Sequence, residues 1–153
     1  MKPAFFLRSA AVLTLLLGVG HMIGKPWTPS KDPLAVTVVA AMKAHRMHVM
    51  GFDRSFMDFY VGFGLMLGVF LLAQAVLLWM LAGLSSSEPV QARRMTAVFF
   101  VVNVGQTILA GAYLFTVPLV FSGIVALCLG AAVVIPAGAA SQATAEPDRA
   151  RQG

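Results

Sequence analysis

Residues 56–81 read FMDFYVGFGLMLGVFLLAQAVLLWML. A single charge, Asp58, stands in this run, and it falls at the third position. A helix of this length rises about 39 Å at 1.5 Å per residue. The hydrocarbon of a bilayer is about 30 Å thick. A water-facing helix needs a polar stripe, and between Asp58 and Trp79 only Tyr60 and Gln74 interrupt the apolar side chains. The solvent this segment fits is lipid.

The rest of the chain agrees. Of 153 residues, 59% are hydrophobic and 11% charged, with mean hydropathy +0.84. A soluble chain is about a quarter charged, so this one lacks the polar groups to cover a water-facing surface. Three further stretches are long and apolar enough to cross: roughly 5–23, 95–117 and 119–135. Together with 56–81 they predict an all-α membrane fold, a bundle of four transmembrane helices in one domain over 1–136. Beyond Pro136 the chain turns small and polar, and 137–153 read as a disordered tail. The first span has a rival reading as a cleaved signal peptide, with Lys2 and Arg8 ahead of an apolar run and Gly18-x-Gly20 as a weak cleavage site. Its polar stripe favours a retained span.

Between the first two spans lies GKPWTPSKDPLAVTVVAAMKAHRMHVMGFDR. Lys25, Trp27 and the neighbouring prolines suit an interfacial turn. Asp32-Pro33 is a good helix start, with an acceptor at the cap and proline at the first helical position. Leu34, Val38, Met42 and Val49 recur at helical spacing while Lys43 and Arg46 face elsewhere, and a fifth span is not expected because Lys43, His45, Arg46 and His48 would sit in hydrocarbon. An amphipathic interfacial helix over about 33–50 is expected.

Net charge is +5. The basic residues sit in loops and ends without interleaved aromatics, which points to the lipid bilayer as partner and away from nucleic acid. With the amino end inside, Lys2, Arg8, Arg93, Arg94, Arg149 and Arg151 lie on the inner side; Lys25, Lys31, Lys43, Arg46 and Arg54 lie outside. Arg93-Arg94 directly flank a span, where charge counts most, so both termini are expected in the cytoplasm.

Polar residues within spans orient each helix, because in lipid they turn toward the bundle interior. Thr14, Gly18 and His21 share a stripe, as do Thr96, Asn103, Gln106, Ala110 and Tyr113. Gly64, Gly68 and Ala75 form a small-residue strip, and Ser122, Ala126 and Gly130 another. Alternation of the spans then gathers His21, Arg54, Asp58 and Tyr113 at one membrane face, with Gly62 one turn beyond Asp58. These five, with Asn103 and Gln106, are the candidate ligand-binding residues. Two structural readings compete with that one. Amides and small residues serve as interhelical glue, and Ser55-x-x-Asp58 has the form of a capping box.

No spacing forces chemistry. His45 and His48 are weak metal candidates, three apart as two ligands on one helix would be. Cys128 is the only cysteine, which excludes an intrachain disulfide and an all-cysteine metal site. No cofactor is predicted; haem b on two histidines, or a quinone held by the His21–Asp58 cluster and its aromatics, are the alternatives. Nine methionines are scattered without a copper-binding cluster and suit packing. The expected function is therefore a non-enzymatic accessory subunit or binder of a lipophilic small molecule. Its partner would be a larger membrane complex or a second copy of itself. The alternative is a small membrane enzyme or redox protein.

The runs GHMIGKPWTP and AAMKAHRMHVMGFDRSFMDFYVGFGL, with the four-span length, resemble a group of small bacterial integral membrane proteins. The most specific part is Arg54, Ser55, Phe56, Asp58, Phe59, Tyr60, Gly62, Phe63 and Gly64. The resemblance implies a four-helix fold in a bacterial inner (cytoplasmic) membrane and carries no activity or catalytic residue. The layout is also loosely similar to DoxX-like proteins, at the level of fold alone.

Overall fold

The computed structural model describes residues 2–25, 28 and 31–135. The interfacial turn around Trp27 and the tail 137–153 lie outside the described residues. In chain order the elements are α1 (Pro3–Gly24), α2 (Pro33–Ala44), β1 (Arg46–Val49), β2 (Phe52–Ser55), α3 (Phe56–Ser87), α4 (Pro89–Tyr113) and α5 (Thr116–Val134). Four of the five helices, all but α2, are long and apolar enough to cross a membrane.

Prolines set several boundaries. The apolar run of the second span stops at Leu81, the end expected from the sequence, but α3 continues through AGLSSS to Ser87. Ser85, Ser86 and Ser87 each donate a hydroxyl to the carbonyl three residues back as the helix runs out. Glu88 then takes φ −130°, ψ 67°, because the residue before a proline is driven out of the helical region. Pro89 restarts the chain at the first position of α4, six residues ahead of the expected start at Met95. α4 ends at Tyr113 and α5 begins at Thr116. The proline there, Pro118, falls in the first turn of α5, where the missing N–H has no intrahelical partner to lose.

The segment between the first two spans departs from expectation. α2 stops at Ala44 and gives way to an antiparallel hairpin, with Arg46 opposite Ser55, Met47 opposite Arg54, His48 opposite Asp53 and Val49 opposite Phe52. The turn residues Met50 and Gly51 have φ +52° and +88°. Positive φ at both positions of a two-residue loop is the type I′ pattern, whose twist matches that of the strands. With the helix ending at Ala44, three of its four expected polar residues (His45, Arg46 and His48) leave it. The remaining helix is apolar nearly all round and buries no residue within the chain. Its start is as expected: the Asp32 carboxylate accepts from the Ala35 N–H at 3.1 Å, with Pro33 behind it.

The described residues divide into two compact units. One takes the chain as far as Ala10 and again from Leu78 onward; the other is Ala11–Leu77. In the first unit α4 and α5 pack as an antiparallel pair with small residues facing larger ones. A Cβ on Gly130 would lie 3.1 Å from the Phe100 ring, one on Gly123 3.7 Å from Thr107, and one on Gly111 3.5 Å from Leu119. The three contacts fall on a single register. Thr96, Asn103 and Ala110 of α4 and Ser122 and Ala126 of α5 are buried, as their spacing requires, and Gly130 lies under the Phe100 ring. In the second unit the later part of α1 lies on the earlier part of α3. A Cβ on Gly18 would meet Leu71 at 3.1 Å and Leu72 at 3.3 Å, and one on Gly68 would run into the Met22 sulfur. Such close approach is what small residues give helices in lipid, where packing replaces the hydrophobic drive.

Candidate functional site

The polar cluster at the start of α3 belongs to the second unit. β2 runs into α3 without a linker, and the junction is a reciprocal box. The Asp58 carboxylate accepts from the Ser55 N–H at 2.8 Å, and the Ser55 hydroxyl accepts from the Asp58 N–H at 3.1 Å. Each side chain satisfies a backbone donor that the helix end leaves open. Asp58 thus acts at its own helix start, with one carboxylate oxygen committed.

The hairpin holds its polar groups the same way. His48 Nδ1 donates to the Asp53 carboxylate at 3.0 Å across the strands. Arg46 and Arg54 both donate to the Asp53 carbonyl, at 3.2 and 3.1 Å, using its two lone pairs. The Arg54 guanidinium also lies over the Phe52 ring at 5.3 Å. His45, just past the end of α2, stacks on Phe56 with ring centroids 5.1 Å apart. The two histidines expected to share a helix face are therefore separated in role. One is a stacking partner and the other a cross-strand hydrogen-bond partner. Among the described residues no group of three or more His, Cys, Asp or Glu is placed to hold a metal.

His21 grips α3 at a different point. Its Nε2 lies 2.8 Å from the Gly64 carbonyl oxygen. A carbonyl only accepts, so this nitrogen carries the hydrogen. Gly64 is six residues past Asp58, about 9 Å along the helix and about 120° around it. The His21 ring also passes the backbone at Gly68, where a Cβ would be 3.6 Å from it. His21 and Asp58 therefore engage α3 on different faces and at different depths. Gly62 is not a close-approach position: a Cβ there meets nothing within 4 Å in this chain. The glycines under α1 are Gly64 and Gly68.

Asn103, Gln106 and Tyr113 belong to the first unit. Asn103 is buried and donates its amide to the Phe99 carbonyl at 2.8 Å. Gln106 is half-buried. Tyr113, read from its spacing as a member of the buried stripe, is instead 80% exposed. It is the last residue of α4, and the chain leaves the helix there before α5 begins.

The first unit also holds a feature that sequence reading did not single out. The start of α1, the end of α3, the start of α4 and the end of α5 meet around a small groove. It is lined by Pro3, Leu7, Ser85, Pro89, Ala92, Arg93, Thr96, Ala132 and Ile135, and encloses about 30 Å³. Arg93 and Arg94 mark a span end in the sequence, but nothing there says that only Arg93 faces a groove. In the same unit the Arg8 guanidinium sits 5.7 Å over the Trp79 ring.

No protein-family model matches the sequence, and no curated protein or solved structure matches it significantly. The residues themselves carry the case for function.

Proposed function

We propose that the chain is a multi-pass protein of the cytoplasmic membrane, with both termini inside. In this reading it is a non-catalytic accessory subunit that docks a larger integral membrane protein through the hairpin ahead of α3. One observation carries it. At the start of α3 the reactive side chains are turned onto backbone and onto each other, while the hairpin tip presents apolar side chains. Ser55, Asp58, His48, Arg46 and Arg54 all have partners within the hairpin or the helix start. At the hairpin tip Met50 is 95% exposed and Phe52 61%. Catalysis asks for the reverse, a reactive group held free toward a substrate. Exposed apolar side chains on a rigid support are what an interface uses, with a few buried anchors giving most of the affinity.

The test is purification of the full chain from native membranes in mild detergent, with a photo-crosslinker at position 52. Stoichiometric association with a larger membrane protein is expected, with crosslinks from Phe52. Met50→Asn combined with Phe52→Ser should abolish the association while the chain keeps a cooperative thermal melt. A solitary particle under several gentle conditions overturns the proposal, as does an association indifferent to both substitutions. A visible absorption band or a stoichiometric quinone in the purified protein would favour the redox alternative.

A further inference from the structure

We propose that the groove in the first unit is a binding site for the phosphate headgroup of an anionic phospholipid, with Arg93 as its principal ligand. Such a site would stand whether or not the hairpin docks a partner.

Three observations converge. The first is shape and lining. The groove lies where four helix ends meet, and its walls are mostly apolar, with Leu7, Ala132 and Ile135 beside the polar Ser85 and Arg93. At about 30 Å³ the groove is far too small to take in a whole lipid. The ligand therefore sits in the mouth, with its phosphate at Arg93 and its glycerol and first methylenes against the apolar wall. A molecule buried whole would not fit.

The second is charge. Lys2, Arg8, Arg93 and Arg94 belong to this unit, and Glu88 is the only described acidic residue in it. Arg93 and Arg94 make no ion pair among the described residues. An arginine fork matches two phosphate oxygens at once. A basic pocket between membrane helices is the setting in which anionic lipid headgroups are held.

The third is the start of α4, which forms one wall. Pro89 has no N–H, and the Glu88 side chain makes no cap hydrogen bond. The Ala92 N–H bonds the Glu88 carbonyl, which leaves the N–H groups of Val90 and Gln91 as the open donors of the first turn. Arg93 stands one turn inside that positive helix end, whose field favours an anion nearby; of the first-turn residues it is Pro89, Ala92 and Arg93, not Val90 or Gln91, that line the groove.

The experiment uses the full chain in neutral detergent, titrated with phosphatidylglycerol or phosphatidylcholine and read by native mass spectrometry and thermal melting. One phosphatidylglycerol per chain is expected to be retained, with a raised melting temperature, and phosphatidylcholine is expected to do neither. Arg93→Gln should weaken phosphatidylglycerol binding about tenfold, the order expected for losing a charged hydrogen-bond partner. Arg94→Gln removes the same charge beside the groove and should weaken it less than about twofold if contact rather than net charge is read. Equal losses for the two variants would mean diffuse attraction to a basic surface and overturn the site. Inorganic phosphate that displaces the lipid at equal concentration would overturn the lipid assignment. Both arginines are exposed, so neither variant is expected to disturb folding, and an unchanged melt without lipid checks this.

Discussion

The two compact units spend their polar groups differently. In the unit formed by Ala11–Leu77, side chains reach from one element to another. His21 of α1 bonds the backbone of α3, Ser55 of β2 and Asp58 of α3 cap each other, and His48 and Asp53 join the strands. In the other unit four buried or half-buried polar side chains bond back onto their own helix. Thr96 donates to Ala92, Asn103 to Phe99, Thr107 to Asn103 and Ser122 to Pro118, each four residues back. Each of those bonds satisfies a polar group in an apolar setting and by itself joins no helices. Glue of the interhelical kind expected from the sequence is found in the His21 bond, and the α4–α5 contacts at Gly130, Gly123 and Gly111 are matters of shape.

That contrast is most exposed to test at the glycines. If shape holds α4 to α5, Gly130→Leu should cost about 3 kcal/mol, because its Cβ alone would press the Phe100 ring at 3.1 Å and leucine adds three carbons beyond it. Gly105→Leu is the control: a Cβ there meets nothing within 4 Å, and the change should stay within about 0.5 kcal/mol. Reversible unfolding in mixed detergent micelles measures both. Equal costs would mean that the register read from the three glycine contacts does not carry the packing.

A smaller effect separates the units with one kind of substitution at two sites. Ser55 and Ser122 are both buried, at 4% and 6% exposure. Ser55→Ala removes a cap and leaves the Asp58 N–H open, so about 1 kcal/mol should be lost. Ser122→Ala removes only bonds to the Pro118 and Leu119 carbonyls of its own helix, with no partner left stranded on another element. It should be neutral within about 0.5 kcal/mol. On the Ser55→Ala background, Asp58→Ala should add little, since the two side chains act as one box. A Ser122→Ala cost as large as that of Ser55→Ala would erase the distinction.

Legibility in the sequence divides along similar lines. The four long helices were legible because lipid imposes a uniform demand: about 20 apolar residues and satisfied backbone. Their buried faces were legible from Thr14, Gly18, Thr96, Asn103 and Ser122, since a polar or small residue in a span has few places to go. The box at Ser55 and Asp58 was legible because it is local. The hairpin was not. Arg46–Ser55 lacks the Asn-Gly or Asp-Gly signal, and its apolar residues also fit a helical period. Once the hairpin forms, His45 and His48 no longer share a helix and His48 finds Asp53. The His21–Gly64 contact and the groove at Arg93 depend on how separate helices are placed against one another, and no periodicity encodes that. Tyr113 failed as a stripe member because the stripe ends with the helix.

The smallest expected effect is at the hairpin tip and has the opposite sign. Met50 holds φ +52°, where a side chain with a Cβ is disfavoured. Asparagine tolerates that region, and Asn-Gly is the preferred pair for a type I′ turn. Met50→Asn should therefore raise stability by about 0.5 kcal/mol, read by the same unfolding titration. The gain should vanish if Gly51 is also replaced by alanine, because Gly51 holds φ +88° and the turn then fails whatever stands at 50. A protein stabilised by Met50→Asn has given up its most exposed apolar side chain with its fold intact. A natural methionine there, against the preference of its own backbone, is the residue to expect if the tip is kept for contact and not for stability. If Met50→Asn destabilises the chain instead, the methionine is already packed within the protein, and the case for an outward-facing tip falls with it.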